Sequence, residues 1–117
     1  MSSEPVPLVY ALEVVILPVT DVDRSVAFYV DGLGFALDVD YAPTPDFRVV
    51  QVTPPGSAAS VQLGVGLTTA EPGSVRGGHL VVADIVGTHR QLTARGVPVA
   101  PLGWRGVTTP AVQDLYR

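Results

Sequence analysis

Few side chains of this chain could take part in chemistry, and His79 is the best candidate for a catalytic residue. The sequence has two histidines, His79 and His89, and no cysteine. The lack of cysteine excludes disulfides, thiolate metal ligands and a cysteine nucleophile. A neutral imidazole at His79 could act as a general base or as a lone metal ligand. The competing interpretation, a hydrogen bond within a polar cavity wall, is the more common role for such a residue.

Polar side chains on two predicted strands are the other candidates. Arg48 and Gln51 fall on one strand and Gln62 on the next. Side chains alternate between the two faces of a strand, so Arg48 and Gln51 cannot both line one cavity. Arg48 has a second interpretation, as a solvated partner of Asp38 or Asp40. We expect Gln62 and His79 to line a small-molecule pocket. The apolar lining expected with them is Val14, Ile16, Val50 and Leu63.

Composition and motifs narrow the class of function. The 117 residues, 47% of them apolar, are enough for one domain with a core. The net charge of −4 argues against a nucleic-acid or anionic-membrane partner, because both need a basic footprint. No GxSxG, GxxxxGK[ST] or HExxH motif occurs. A small molecule or another protein is the expected partner, and the cytoplasm the expected location.

The elements that must position these residues begin with the stretch Pro18 to Phe35. Within it, Val22, Val26, Tyr29 and Leu33 have the spacing of a helix that buries one side against a sheet. Asp21 can cap the start of this helix, and Gly32 or Gly34 can end it.

Strand patterns surround this helix in the first half of the chain. Alternation, β-branched residues and the proline and glycine turns between them predict a βαβββ order. The predicted strands are Leu12–Val19, Phe35–Tyr41, Phe47–Thr53 and Ser60–Gly66, with the helix at Val22–Leu33 and a turn at Ala42–Asp46.

A similar order restarts in the second half. It predicts a strand at His79–Val82, a cap at Asp84, a helix at Ile85–Ala94 ending at Gly96, and a strand at Val97–Val99. A structural repeat of about 60 residues follows from this similarity.

The segment from Pro18 to Phe35 resembles the vicinal oxygen chelate superfamily, which includes glyoxalase I, extradiol dioxygenases and bleomycin resistance proteins. The matching residues are Val19, Asp21, Arg24, Ser25, Phe28, Tyr29, Leu33, Gly34 and Phe35, after an apolar strand. The resemblance implies an α+β fold in which paired βαβββ modules form an incomplete barrel around a pocket. It is much less specific for function, because this scaffold carries isomerases, dioxygenases, transferases and non-catalytic binders.

The resemblance also implies where a metal would bind. Metal-dependent members place a His on the first strand and a Glu on the last strand of each module. The two modules give four such positions. Three of them hold Val14, Gln62 and Gly77 here, and the fourth would lie beyond Arg117. An amide oxygen binds transition metals poorly. We therefore predict no metal ligand and no cofactor.

The second module is expected to be truncated at the C-terminus, because no clear strands follow Val99. We divide the chain into a leader at 1–11 and a single domain at 12–117, with module one at about 12–66 and a partial module two at about 77–117. An unclosed sheet leaves an edge to be covered, which favours a homodimer, with strand exchange between the chains as one means of closure.

Three functions are compatible with these patterns. The leading hypothesis is a metal-independent small-molecule binder, similar to resistance proteins that hold an aromatic or polycyclic ligand in a dimer cleft. The alternative is a lyase or isomerase of glyoxalase type in which His79 and Gln62, with residues of a second chain, hold a divalent metal. The third is a structural or regulatory dimerisation domain.

Overall fold

A computed structural model describes residues 4–102 of the chain. They form one mixed sheet and two helices, and the sheet is open, not closed into a barrel. The strands are β1 (Val14–Ile16), β2 (Ala36–Thr44), β3 (Phe47–Thr53) and β4 (Ser60–Val65). The helices are α1 (Val22–Ala27), continued by a π-helical turn (Phe28–Gly32), and α2 (Ile85–Ala94). The predicted α+β class is confirmed.

The first helix begins and ends at the predicted signals. The Asp21 carboxylate accepts a hydrogen bond from the backbone N–H of Arg24 at 3.1 Å, so it satisfies a donor that the first helical turn leaves free. The last turn widens to a π-helix, and the chain then turns at Gly34, whose φ of 79° suits glycine. Tyr29 lies in this turn and is 3% exposed, so the π-helical turn continues the buried side of the helix.

The sheet order is β1-β4-β3-β2, with β1 and β4 parallel and the other pairs antiparallel. β3 has the predicted bounds. β2 is longer than predicted, because the segment expected to be a turn pairs with β3 as far as Thr44 opposite Phe47. β1 is shorter than the predicted Leu12–Val19, because only Val14 to Ile16 pair in register with β4, and the backbone hydrogen bonds to β4 reach no further than Glu13 and Leu17.

The core lies on one side of this sheet. Val50, Val52 and Leu63 are fully buried under α1 and the π-helical turn, together with Tyr29 and Phe35. The expectation that Val50 and Leu63 line a ligand cavity was therefore wrong. Alternation places them on the helix-covered face, opposite Gln51 and Gln62.

The second half contains a helix but no strand among the described residues. α2 has the predicted bounds, and Asp84 caps it by accepting from the backbone N–H of Gly87 at 3.0 Å. The strands predicted at His79–Val82 and Val97–Val99 do not form, because neither segment meets a neighbouring strand. The second half contacts the first through Arg95, which donates to the Gly32 carbonyl at 3.3 Å. Trp104 and the remaining C-terminal residues lie outside the described range.

Candidate functional site

The face of the sheet opposite α1 is the candidate functional site, and we call it the open face. Its side chains alternate with the core residues of β3 and β4 and follow the register of the neighbouring strands. The open face consists of Val14, Ile16, Ala36, Val39, Tyr41, Val49, Gln51, Thr53, Ser60, Gln62 and Gly64. Within residues 4–102, no helix packs across it.

One row of residues crosses all four strands of the open face. Ile16 is paired with Gln62, Gln62 with Gln51, and Gln51 with Val39. Gln62 Nε2 donates to Gln51 Oε1 at 3.0 Å, and both side chains are half-buried. We call Gln51 and Gln62 the amide pair. With strands about 4.8 Å apart, the row is roughly 14 Å long, with an apolar side chain at each end.

A second polar group lies beside this row. The Thr53 hydroxyl donates to an Asp38 carboxylate oxygen, and it lies 2.6 Å from the hydroxyl of Ser60. The sequence pattern gave no reason to place Asp38 here. A register shift between Leu37 and Val39 breaks the alternation of β2 and lets Asp38 reach Thr53.

Apolar side chains of the open face remain partly in solvent. Ile16 is 38% exposed, Val39 42% and Tyr41 58%. Sequence reasoning named Val14, Ile16 and Gln62 as pocket residues, and the structure places these three on this one face. It missed Val39 and Tyr41, although the alternation of Phe35–Tyr41 marked a half-exposed strand.

His79 does not join these residues in the described structure. It lies on an exposed segment without strand pairing, and its Nδ1 is 2.9 Å from the carbonyl oxygen of Gly77. The expectation that it lines the pocket assumed a strand at His79–Val82, and no strand forms there. Its role in a pocket stays a prediction. His89 contacts the Ala100 carbonyl oxygen through Nε2 at 2.7 Å.

The side chains at the expected metal positions do not fit a divalent ion. Val14 offers no ligand atom, and the Gln62 amide is bonded to Gln51. In the described part of the chain, no three His, Asp or Glu side chains come close enough together to hold a metal. No catalytic step through a metal follows from this arrangement.

Arg48 lies on the helix-covered face of β3 and connects β3 with β2 and α1. Its guanidinium donates to both carboxylate oxygens of Asp40 on β2, at 3.0 and 2.9 Å, and to Asp23 on α1 at 2.8 Å. The hydrogen bond from Arg48 holds the pKa of Asp40 below its usual value. The predicted pairing with Asp40 is present, so Arg48 stabilises the scaffold and Gln51 is the residue that faces the site.

Two cavities lie away from the open face. One, of about 330 Å³, lies beside the ends of β1 and β4, and none of its lining residues is titratable. The other, of about 460 Å³, is a shallow depression on α2 that includes His89, Arg90 and Leu102. Neither contains a residue of the amide pair. No helix in the described residues is long and apolar enough to cross a membrane.

The open sheet with a helix layer on one face defines an α+β fold of glyoxalase type. A family model of the Glyoxalase/Bleomycin resistance protein/Dioxygenase superfamily matches residues 11–113, and the chain belongs to this superfamily.

Solved structures of the same superfamily are similar to this chain. TnmS3, an antibiotic binding protein from Streptomyces sp. CB03234, is 33% identical over 81% of this chain and 78% of its own, with a TM-score of 0.70. A glyoxalase/bleomycin resistance protein from the same strain is 33% identical over 80% of this chain and 81% of its own, with a TM-score of 0.67. A superfamily member from Sphaerobacter thermophilus DSM 20745 is 31% identical over 80% and 77%, with a TM-score of 0.67. A search of curated proteins found no significant match.

Proposed function

We propose that this protein binds a small organic molecule on the open face, without a metal, in a cleft that a second copy of the chain completes. The row from Ile16 through the amide pair to Val39 is the observation that carries this proposal. Apolar side chains with a few placed hydrogen-bonding groups are the usual lining of a small-molecule site.

The comparisons support the kind of ligand. TnmS3 is described as an antibiotic binding protein. An aromatic or polycyclic antibiotic is therefore the class of ligand to test first. Metal independence is supported by the residues at the expected ligand positions, where Val14 and Gly77 have no metal-binding side chain and Gln62 has a neutral one.

A second copy is needed because the open face of one chain is too exposed to enclose a ligand. Tyr41 alone is 58% exposed, whereas binding sites bury most of a ligand's surface. A symmetric dimer would place a second surface across this face. The function is therefore proposed for the homodimer.

Binding of bleomycin and doxorubicin, measured by calorimetry and by fluorescence, tests the proposal. We expect at least one of the two to bind, with the same affinity in excess EDTA and in manganese. Loss of binding in EDTA that manganese restores would contradict metal independence. No binding of either compound would contradict the proposed function.

A matched pair of variants locates the site. Val39→Arg places a charge on the open face, and we expect it to abolish binding, because the charge would be desolvated beside the ligand. Val81→Arg makes the same change at a residue that is 95% exposed on the segment before α2. That control should bind like the wild type. Equal binding by both variants would move the site away from the open face.

The glyoxalase-type enzyme and the dimerisation domain remain alternatives without a specific observation in their favour. Elemental analysis after incubation with manganese, iron, nickel and zinc distinguishes the glyoxalase-type enzyme from the metal-independent binding protein. Near-stoichiometric retention that His79→Ala abolishes would support the enzyme.

A further inference from the structure

We infer that the amide pair selects ligands that carry a hydrogen-bond acceptor and a hydrogen-bond donor on neighbouring ring atoms, as a cyclic amide does. This inference rests on the proposed function and names the chemistry that the same site would recognise.

The hydrogen bonding of the amide pair leaves one donor group and one acceptor free. Gln62 Nε2 donates to Gln51 Oε1. Gln51 Nε2 and Gln62 Oε1 have no other hydrogen bond among residues 4–102. Exchanging the oxygen and nitrogen of both amides gives the same result, one free NH₂ and one free oxygen.

The position of these two groups matches a ligand with both functions side by side. They come from residues directly opposite each other on neighbouring strands, and directly paired side chains lie about 5 Å apart. A ring carbonyl can accept from Gln51 while the adjacent ring N–H donates to Gln62. A ligand with only one of the two functions would leave a half-buried amide group unpaired, which costs free energy.

The residues flanking the amide pair favour a flat ligand. Ile16 and Val39 lie at the two ends of the same row, and Val49 and Tyr41 form the next row. None of these side chains carries a charge, and the row is roughly 14 Å long, enough for two or three fused rings. A planar ring system can contact the apolar ends while its polar edge meets the amide pair.

The probes that test this inference are 2-quinolone and N-methyl-2-quinolone. The two compounds have the same rings and carbonyl, but the second lacks the N–H donor. Both are small, so affinities near the millimolar range are expected, and ¹H–¹⁵N NMR titration of the full chain is the suitable measurement. It also observes the side-chain amides of Gln51 and Gln62 directly.

We expect 2-quinolone to shift the side-chain amide signals of Gln51 and Gln62, and to bind about tenfold more tightly than the N-methyl compound. In the double variant Gln51→Leu/Gln62→Leu the two probes should bind equally, because both amide oxygens that could accept from the N–H are gone. Gln91→Leu, on the exposed side of α2, is the matched control and should keep the tenfold preference.

Two outcomes would overturn the inference. Equal binding of both probes to the wild type, or a preference that survives in Gln51→Leu/Gln62→Leu, shows that the amide pair does not recognise the N–H donor of the ligand. If bleomycin or doxorubicin binds at the open face while 2-quinolone does not, the inference fails and the proposed function stands. If no compound binds, both fail.

Discussion

Arg48 shows how a single side chain supports the open face from the opposite side of the sheet. Its guanidinium contacts Asp40 on β2 and Asp23 on α1. Arg48 itself lies on β3, so it connects β2, β3 and α1. The side chain of Arg48 is 23% exposed, while that of Asp23 is 84% exposed. Water screens the pair with Asp23 strongly, and the two-point contact with Asp40 is the stronger interaction.

Replacing Arg48 by Met should lower the free energy of unfolding by about 1 kcal/mol. Met keeps an unbranched apolar chain but leaves Asp23 and Asp40 without their cation. Urea unfolding measures this change, and Arg90→Met on the exposed side of α2 is the control. A loss as large in the control would contradict a specific role for Arg48.

The same variant should show a defined dependence on pH. Because the pKa of Asp40 is lowered in the folded protein, its contribution to stability is fully present above its unfolded pKa, about 3.9. That contribution is lost as the pH falls through the lower folded pKa. The stability difference between wild type and Arg48→Met should therefore shrink below about pH 4. A difference that grows on acidification would contradict this assignment.

At the scale of elements, the end of β4 depends on a close approach of two backbones. A Cβ added at Gly64 would lie 1.8 Å from the carbonyl oxygen of Arg48 on β3. The next turn repeats this feature, since Gly66 has a φ of +77° and a Cβ there would lie 2.6 Å from the Asp46 carbonyl oxygen. Glycine is therefore required where β4 leaves the sheet.

Gly64→Ala should destabilise the fold by at least about 3 kcal/mol, because backbone atoms cannot move aside as a flexible side chain can. Gly77→Ala makes the same chemical change where no atom lies within 4 Å, and it should alter stability by less than about 0.5 kcal/mol. Thermal and urea unfolding of both variants measure the difference. If Gly64→Ala is as stable as Gly77→Ala, the close approach is not a feature of the folded protein in solution.

At the scale of the whole molecule, an edge strand and an apolar segment are left without a covering element in residues 4–102. β1 lies at the edge of the sheet and pairs only with β4. The residues before it include Leu8, Val9 and Tyr10, which are 78%, 84% and 85% exposed. An exposed strand edge next to apolar side chains is a site for pairing with another chain.

We expect the protein to be a homodimer at micromolar concentration. Light scattering after size exclusion measures the mass, and the melting temperature should rise with protein concentration, because association stabilises the folded state. If the segment before β1 forms the dimer contact, Val9→Asp should weaken the dimer. Val81→Asp, which lies outside that segment, should leave it unchanged. A monomer at these concentrations would contradict the dimer and the shared cleft.

Local signals in the sequence determined the helices and the central strand. The caps at Asp21 and Asp84, the glycines at Gly34 and Gly96 and the bounds of α2 and β3 appear as predicted. Each helix makes its hydrogen bonds within a few residues, so nearby side chains carry the information. The superfamily resemblance came from the same kind of local pattern.

Only the tertiary structure decided which segments become strands and which side chains share the open face. His79–Val82 has a strand-like composition but no strand partner, and β1 shortens to the three residues that pair in register with β4. The register shift in β2 brings Asp38 to Thr53, and the pairing of β3 with β4 joins Gln51 to Gln62. A strand's hydrogen bonds come from residues distant in the chain, so its length, register and facing side chains depend on the partner it meets.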